Sequence, residues 1–169
     1  MISNKIKRYT LRLIRFIYRK LVERRLARYG SVKVNGPCNI PRGLVSVGVN
    51  VNFNGMHIKG LGKVVIGDHF HSGEQCKIFT SSHNWEGEQL PYDSTHIIKD
   101  VSIGDYVWLG DNVLLLPGTS LGDGVIVQAG SVVHGTIAER ALIGGNPARA
   151  LICRDSKKYK QLVLDKKFH

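Results

Sequence analysis

The chain has 169 residues and carries 24 Lys+Arg against 13 Asp+Glu, a formal charge of +11. That length suits one domain with an ample core, and a 43% hydrophobic content excludes a disordered chain. A pI near 9.8 points first to nucleic acid or an anionic membrane. The charge is concentrated at the two ends, however. Residues 1–30 hold ten Lys/Arg and one acid, and residues 153–169 hold six and two, so residues 31–152 carry a net of −2. A slightly acidic body argues against a nucleic-acid groove.

In chain order, residues 1–30 read as a basic amphipathic helix. Ile2, Ile6, Tyr9, Leu13, Phe16/Ile17 and Leu21 recur at helical spacing with Lys/Arg between them. Charges every three or four residues exclude a transmembrane span, and the segment lacks the apolar h-region of a signal peptide. Its apolar stripe suits either packing on its own or a neighbouring subunit, or peripheral contact with anionic lipid.

Residues 31–152 carry an internal repeat. Ile103, Leu109, Leu115, Leu121, Val127 and Val133 stand six apart, each aliphatic and branched. Four residues on runs a second column: Val107, Val113, Thr119, Val125, Ser131 and Ile137. Upstream, Ile66, Ser72 and Ile78 pair with Phe70, Cys76 and Ser82, and Val34 and Ile40 begin the series. Three six-residue units make one triangular coil of a parallel β-helix, with the aliphatic residues inward and stacked in ladders. Gly104, Gly110 and Gly122 follow the first column, where they are expected to supply positive φ at the corners. Six or seven coils fit.

Between Ser82 and Ile103 the period breaks. Residues 83–100 are expected to project as a loop, the usual place for binding and catalysis on a rigid scaffold. Residues 153–169 form a basic tail, read as a short C-terminal helix. Cys38, Cys76 and Cys153 make no CxxC pair and read as structural residues, so neither zinc nor a disulfide framework is indicated.

Several motifs carry a resemblance. The hexads, VWLG at Val107–Gly110, LPG at Leu116–Gly118, QAGSVV at Gln128–Val133 and GGNPAR at Gly144–Arg149 resemble the hexapeptide-repeat acyltransferases. VNFNGMHI at Val51–Ile58 and KIFTSSH at Lys77–His83 resemble the maltose and galactoside O-acetyltransferase branch. The resemblance implies a left-handed parallel β-helix, a homotrimer, and acetyl-CoA between adjacent subunits. It implies His83 as general base and an acceptor contact at Asn52 or Asn54, with Asn84 and Trp85 beside the base. Gly110, Asp111, Ala129, His134, Gly135 and Arg149 match the coenzyme positions. His134 stands where relatives carry Thr, and Gly135 where some carry Lys.

The chemistry agrees with that assignment. A sugar hydroxyl is a poor nucleophile until its proton is removed, and an imidazole, with a typical pKa of ~6.5, accepts protons near neutrality. A thioester is already activated, so no metal is required. Glu86, Glu88 and Asp93 are candidates to orient His83. The expected reaction is O-acetylation of a carbohydrate, a cell-surface polysaccharide or its precursor, in the cytoplasm or at the inner face of the cytoplasmic membrane. N-acetylation of an amino sugar, acetylation of another small acceptor, and a non-catalytic solenoid are the competing readings. A γ-type carbonic anhydrase needs two His five residues apart, a spacing this chain does not contain.

Overall fold

A computed structural model describes residues 4–168, so Ile2 lies outside the described residues. Helix α1 spans Asn4–Glu23, and α2 spans Ser156–Leu164. Between them runs a parallel β-solenoid of three faces. The first face stacks Arg28–Tyr29, Val45–Val47, Val64–Ile66, Val101–Ile103, Ser120–Leu121 and Thr136–Ile137, six strands deep. The second runs from Val32–Gly36 through Val51–Asn54, His71–Glu74, Trp108–Leu109 and Ile126–Val127 to Ala141–Gly145. The third stacks His57–Lys59, Lys77–Phe79, Leu114–Leu115 and Val132–Val133.

The six-residue columns become the interior ladders. Ile66 pairs with Ile103 and Ile103 with Leu121 on the first face. Ser72, Leu109, Val127 and Ile143 line up on the second, and Ile58, Ile78, Leu115 and Val133 on the third. All of these residues are buried, and each Leu or Ile so placed contributes about 1.5–3 kcal/mol. The hydroxyls in the second column are buried with partners. Thr119 Oγ1 donates to Leu116 O at 2.7 Å, and Ser131 Oγ donates to Gln128 O at 2.7 Å. A polar residue is tolerated there because the coil turn offers it a carbonyl. Ser82 departs from the expected column: it has left the coil to pair with Ile97, and Thr80 is the buried residue at that corner.

The glycines of the first column act differently from the expectation. Gly104, Gly110 and Gly122 have no positive φ. Their hydrogen faces the coil above: a Cβ on Gly110 would lie 2.6 Å from Ala129 N, and one on Gly122 would lie 2.6 Å from Glu139 N. Close stacking, not handedness, requires glycine there. The left-handed corners sit three residues after each inward residue, at Tyr106, Asn112, Gly118, Gly124 and Gly130. Acidic side chains tie the coils together at one edge. The Asp68 carboxylate accepts from Val49 N at 2.8 Å, Asp105 from Asp68 N at 2.7 Å, and Asp123 from Asp105 N at 2.8 Å.

The chain ends are handled separately. Val22 is buried, and Tyr18 and Leu26 pack beside it, so only the C-terminal part of α1 joins the core. The turn at Asn146–Pro147 sends Ala148–Cys153 back antiparallel along Ala141–Gly145. Asp155 then caps α2, its carboxylate accepting from Lys158 N at 2.6 Å.

The cysteines divide by environment. Cys76 is buried and donates to Gly110 O at 3.1 Å, and Cys38 is half-buried and accepts from Met56 N at 3.3 Å. Burial pushes both thiols above the ordinary cysteine range. Cys153 is exposed. A thiol reagent at neutral pH is therefore expected to label Cys153 first, with Cys38 and Cys76 reacting at least about tenfold more slowly. Mass spectrometry of a labelling time course checks this, and equal rates would contradict the burial described.

Candidate functional site

The first-face ladder fixes where the period is interrupted. Ile103 pairs with Leu121, eighteen residues on, whereas Ile66 pairs with Ile103, thirty-seven on. The nineteen surplus residues leave at the corner between the third and first faces. They form a hairpin rather than a plain loop. Ser81–His83 pairs antiparallel with His96–Ile98, and His96 stands directly across from His83.

His83 is exposed at the end of its strand. Its ring stacks on Tyr92, with centroids 3.9 Å apart and planes at 14°, and the His96 ring lies 4.9 Å away. Sequence reasoning missed both neighbours. His96 reads as the far end of a loop until the strands pair, and nothing local marks Tyr92 as a stacking partner. The hairpin holds its own shape. Asn84 N donates to Thr95 O at 3.1 Å, Asn84 Nδ2 to Thr95 Oγ1 at 3.1 Å, and Glu86 N to Asn84 Oδ1 at 3.1 Å. Asp93 accepts from the hydroxyl and amide of Thr95 and from Glu88 N. Those Thr95 hydrogen bonds hold its carboxyl below the ordinary range. Asp93 is thus spent on the turn, and Glu86 and Glu88 are exposed. Trp85 is 62% exposed on the same hairpin.

The other expected site residues fall elsewhere on the prism. Asn52 and Asn54 lie on the second face, where Asn35 Nδ2 donates to both carboxamide oxygens, at 3.0 and 2.8 Å. Asn54 Nδ2 donates to Ser72 O at 2.7 Å, and it stands 3.4 Å from His71 Nε2. Gly110, Asp111 and Ala129 share the corner between the second and third faces, where Asp111 accepts from Glu74 N at 2.7 Å. His134 and Gly135 are exposed at the corner from which the hairpin leaves. There, too, the side chain of Lys99 lies over Gly118. Arg149 is exposed on the last strand. One chain therefore distributes these residues over one face, two corners and the final strand.

A cleft of about 600 Å³ opens on the second face beneath α2, and His83 is not among its walls. Asn52, His71 and Trp108 form its floor, and Trp108 is 52% exposed. Phe168 closes the far side, with its ring 4.2 Å from His69. Burial and then the nearby Asp123 carboxylate push the Tyr159 hydroxyl up to about 12. Among the described residues, no group of three or more His, Cys, Asp or Glu is placed to hold a metal ion. No described helix is long and apolar enough to cross a membrane.

Comparison with known proteins agrees with this architecture. The bacterial transferase hexapeptide family (six repeats) matches residues 100–135. A protein of Escherichia coli strain K12, named as a lipopolysaccharide biosynthesis O-acetyl transferase, WbbJ, is 38% identical over 121 residues, 65% of this chain and 61% of its own length. The chain thus spans about six-tenths of that relative. A maltose O-acetyltransferase structure from Clostridium difficile 630 superposes with a TM-score of 0.73 at 27% identity, covering 81% of this chain and 74% of that one. A galactoside acetyltransferase in complex with coenzyme A superposes with a TM-score of 0.74 at 24% identity, covering 83% and 71%. Its repeats, its three-faced solenoid and these relatives make the chain similar to the bacterial hexapeptide-repeat transferases, with the six-repeat family itself matched over residues 100–135.

Proposed function

We propose that this chain is an acetyl-CoA-dependent O-acetyltransferase acting on a carbohydrate hydroxyl, with His83 as general base. The observation that carries the reading is His83 itself: an exposed imidazole, stacked on Tyr92, on a hairpin that leaves a hexapeptide solenoid. Acetyl-CoA supplies an activated thioester. The His83 ring takes the hydroxyl proton as the acceptor oxygen attacks, and returns it to the departing thiolate. A backbone N–H of the coil steadies the negative charge that develops on the carbonyl oxygen.

The remaining residues are assigned around that base. Asn52 and Asn54, fixed by Asn35, meet the acceptor together with Asn84 and Trp85. Gly110, Asp111, Ala129, His134, Gly135 and Arg149 lie along the coenzyme, with the Arg149 guanidinium suited to phosphate. Their separation in one chain supports a homotrimer in which a neighbouring copy completes each site. The name of the E. coli relative supports an acceptor in a cell-surface polysaccharide or its precursor. The proposed working place is the cytoplasm, at the inner face of the cytoplasmic membrane.

A panel of sugars, amino sugars and glycan precursors, each offered with acetyl-CoA, tests the reading through free-thiol release. At least one hydroxyl acceptor is expected to raise release about tenfold or more above the acceptor-free rate, giving an ester that hydroxylamine cleaves. A hydroxylamine-stable product would transfer the reading to N-acetylation. Acceptor-independent release throughout would remove it.

A further inference from the structure

We infer that α1 is an interfacial anchor that lays one face on an anionic lipid surface and holds the solenoid on the water side. This extends the membrane placement proposed above and stands apart from the reaction. The helix uses only the C-terminal end of one side within the chain, since Leu11, three turns before Val22 on that side, is 52% exposed. Val22 is 2% exposed against the core, with Tyr18 beside it. Ile6, Tyr9, Leu13, Phe16 and Ile17 are between 47% and 60% exposed. Leu13 and Val22 are nine residues apart, two and a half helical turns, so they face opposite ways. The stripe built on Leu13 therefore points away from the solenoid, and a flat surface can meet it without touching the coil.

Charge selects the occupant. Arg8, Arg12, Arg15 and Arg19 recur at intervals of four, three and four residues, which places them along one flank of the stripe. Glu23 is the only acid in residues 1–30, and it is engaged by Lys20 at 2.8 Å and Arg19 at 3.6 Å. A second copy of this helix would bring the same cations against these, and residues 31–152 of a copy carry a net charge of only −2. Anionic headgroups supply the missing countercharge, while the acyl boundary accepts the aliphatic and aromatic side chains. The partner that fits is a bilayer surface rich in acidic phospholipid.

The test is flotation of the full chain with vesicles of phosphatidylcholine alone and of phosphatidylcholine with phosphatidylglycerol. The parent chain is expected to float with the acidic vesicles only, less so as salt rises. Combined Arg8→Glu, Arg12→Glu and Arg15→Glu changes are expected to weaken partition on the order of a hundredfold. Combined Leu13→Glu, Phe16→Glu and Ile17→Glu changes are expected to weaken it roughly tenfold or more. Both variants keep Val22 and so the contact with the core, and circular dichroism with the thiol assay on a soluble acceptor reads folding and activity separately. Equal flotation with neutral vesicles, unchanged partition of either variant, or a stripe variant that alters assembly size instead of flotation would overturn the inference. Loss of flotation with thiol release intact separates the anchor from the enzyme, and loss of thiol release with flotation intact sinks only the catalytic reading.

Discussion

Replacing His83 by alanine is expected to lower acceptor-dependent thiol release by about 10²–10⁴-fold, the range a positioned general base contributes. The coil should be untouched. His83 lies on the hairpin, outside the buried ladders, and its ring contacts are Tyr92 and His96. The variant should therefore unfold at the parent's midpoint. His96→Ala makes the informative companion, because that ring stands across the same strand pair without being assigned the proton. A small loss there beside a large loss at His83 assigns the base. Equal losses would mean that the hairpin's shape matters and the imidazole does not, and full activity in His83→Ala would end the general-base reading.

The second large effect concerns stability and separates two uses of glycine. Gly122→Ala is expected to cost about 1–3 kcal/mol or more, because the new Cβ would stand 2.6 Å from Glu139 N and 2.8 Å from Glu139 Cα. Those are backbone atoms of the coil above and cannot rotate aside. Gly130 presents the opposite situation. It has φ of +72°, and no atom would lie within 4 Å of a Cβ. Gly130→Ala is expected to cost about 1 kcal/mol for the left-handed backbone, and Gly130→Asn less, because asparagine tolerates that region. Gly122→Asn should be at least as damaging as Gly122→Ala. Urea unfolding at one fixed protein concentration reads all four, since assembly makes apparent stability concentration-dependent. Neutral substitutions at Gly122 would refute the stacking argument.

These two glycines also mark how far the chain could be read before its structure. Ile103 through Val133 at six-residue intervals announced the solenoid, because burying one residue per face is a strict periodic demand that few other folds make. The same period misassigned Gly104, Gly110 and Gly122. Close approach and positive φ both select glycine, and spacing alone does not separate them. The true left-handed column was hidden because it mixes Tyr106, Asn112 and three glycines. The break in the period was legible to within two residues of Thr80, where the chain leaves the coil, but the neighbours of the His83 ring were not. Tyr92 and His96 reach it only once an antiparallel pair forms inside a segment without any repeat. The cleft was equally invisible, because it exists only when the basic tail folds back and Phe168 meets His69, ninety-nine positions earlier. Such contacts leave no local trace in composition.

The hairpin's place of departure has a consequence for how such a protein changes over generations. Ile66 and Ile103 stack as neighbours whatever lies between them, so the ladder constrains only the two ends of the excursion. Doubling the length of a flexible connection costs only about 0.6 kcal/mol. A corner of this kind is a socket: the segment beyond His83, with Asn84 and Trp85, can be lengthened, shortened or exchanged while every coil keeps its partner. Diversification of acceptors would then proceed by swapping cassettes at one corner, leaving the rest of the prism to be inherited intact.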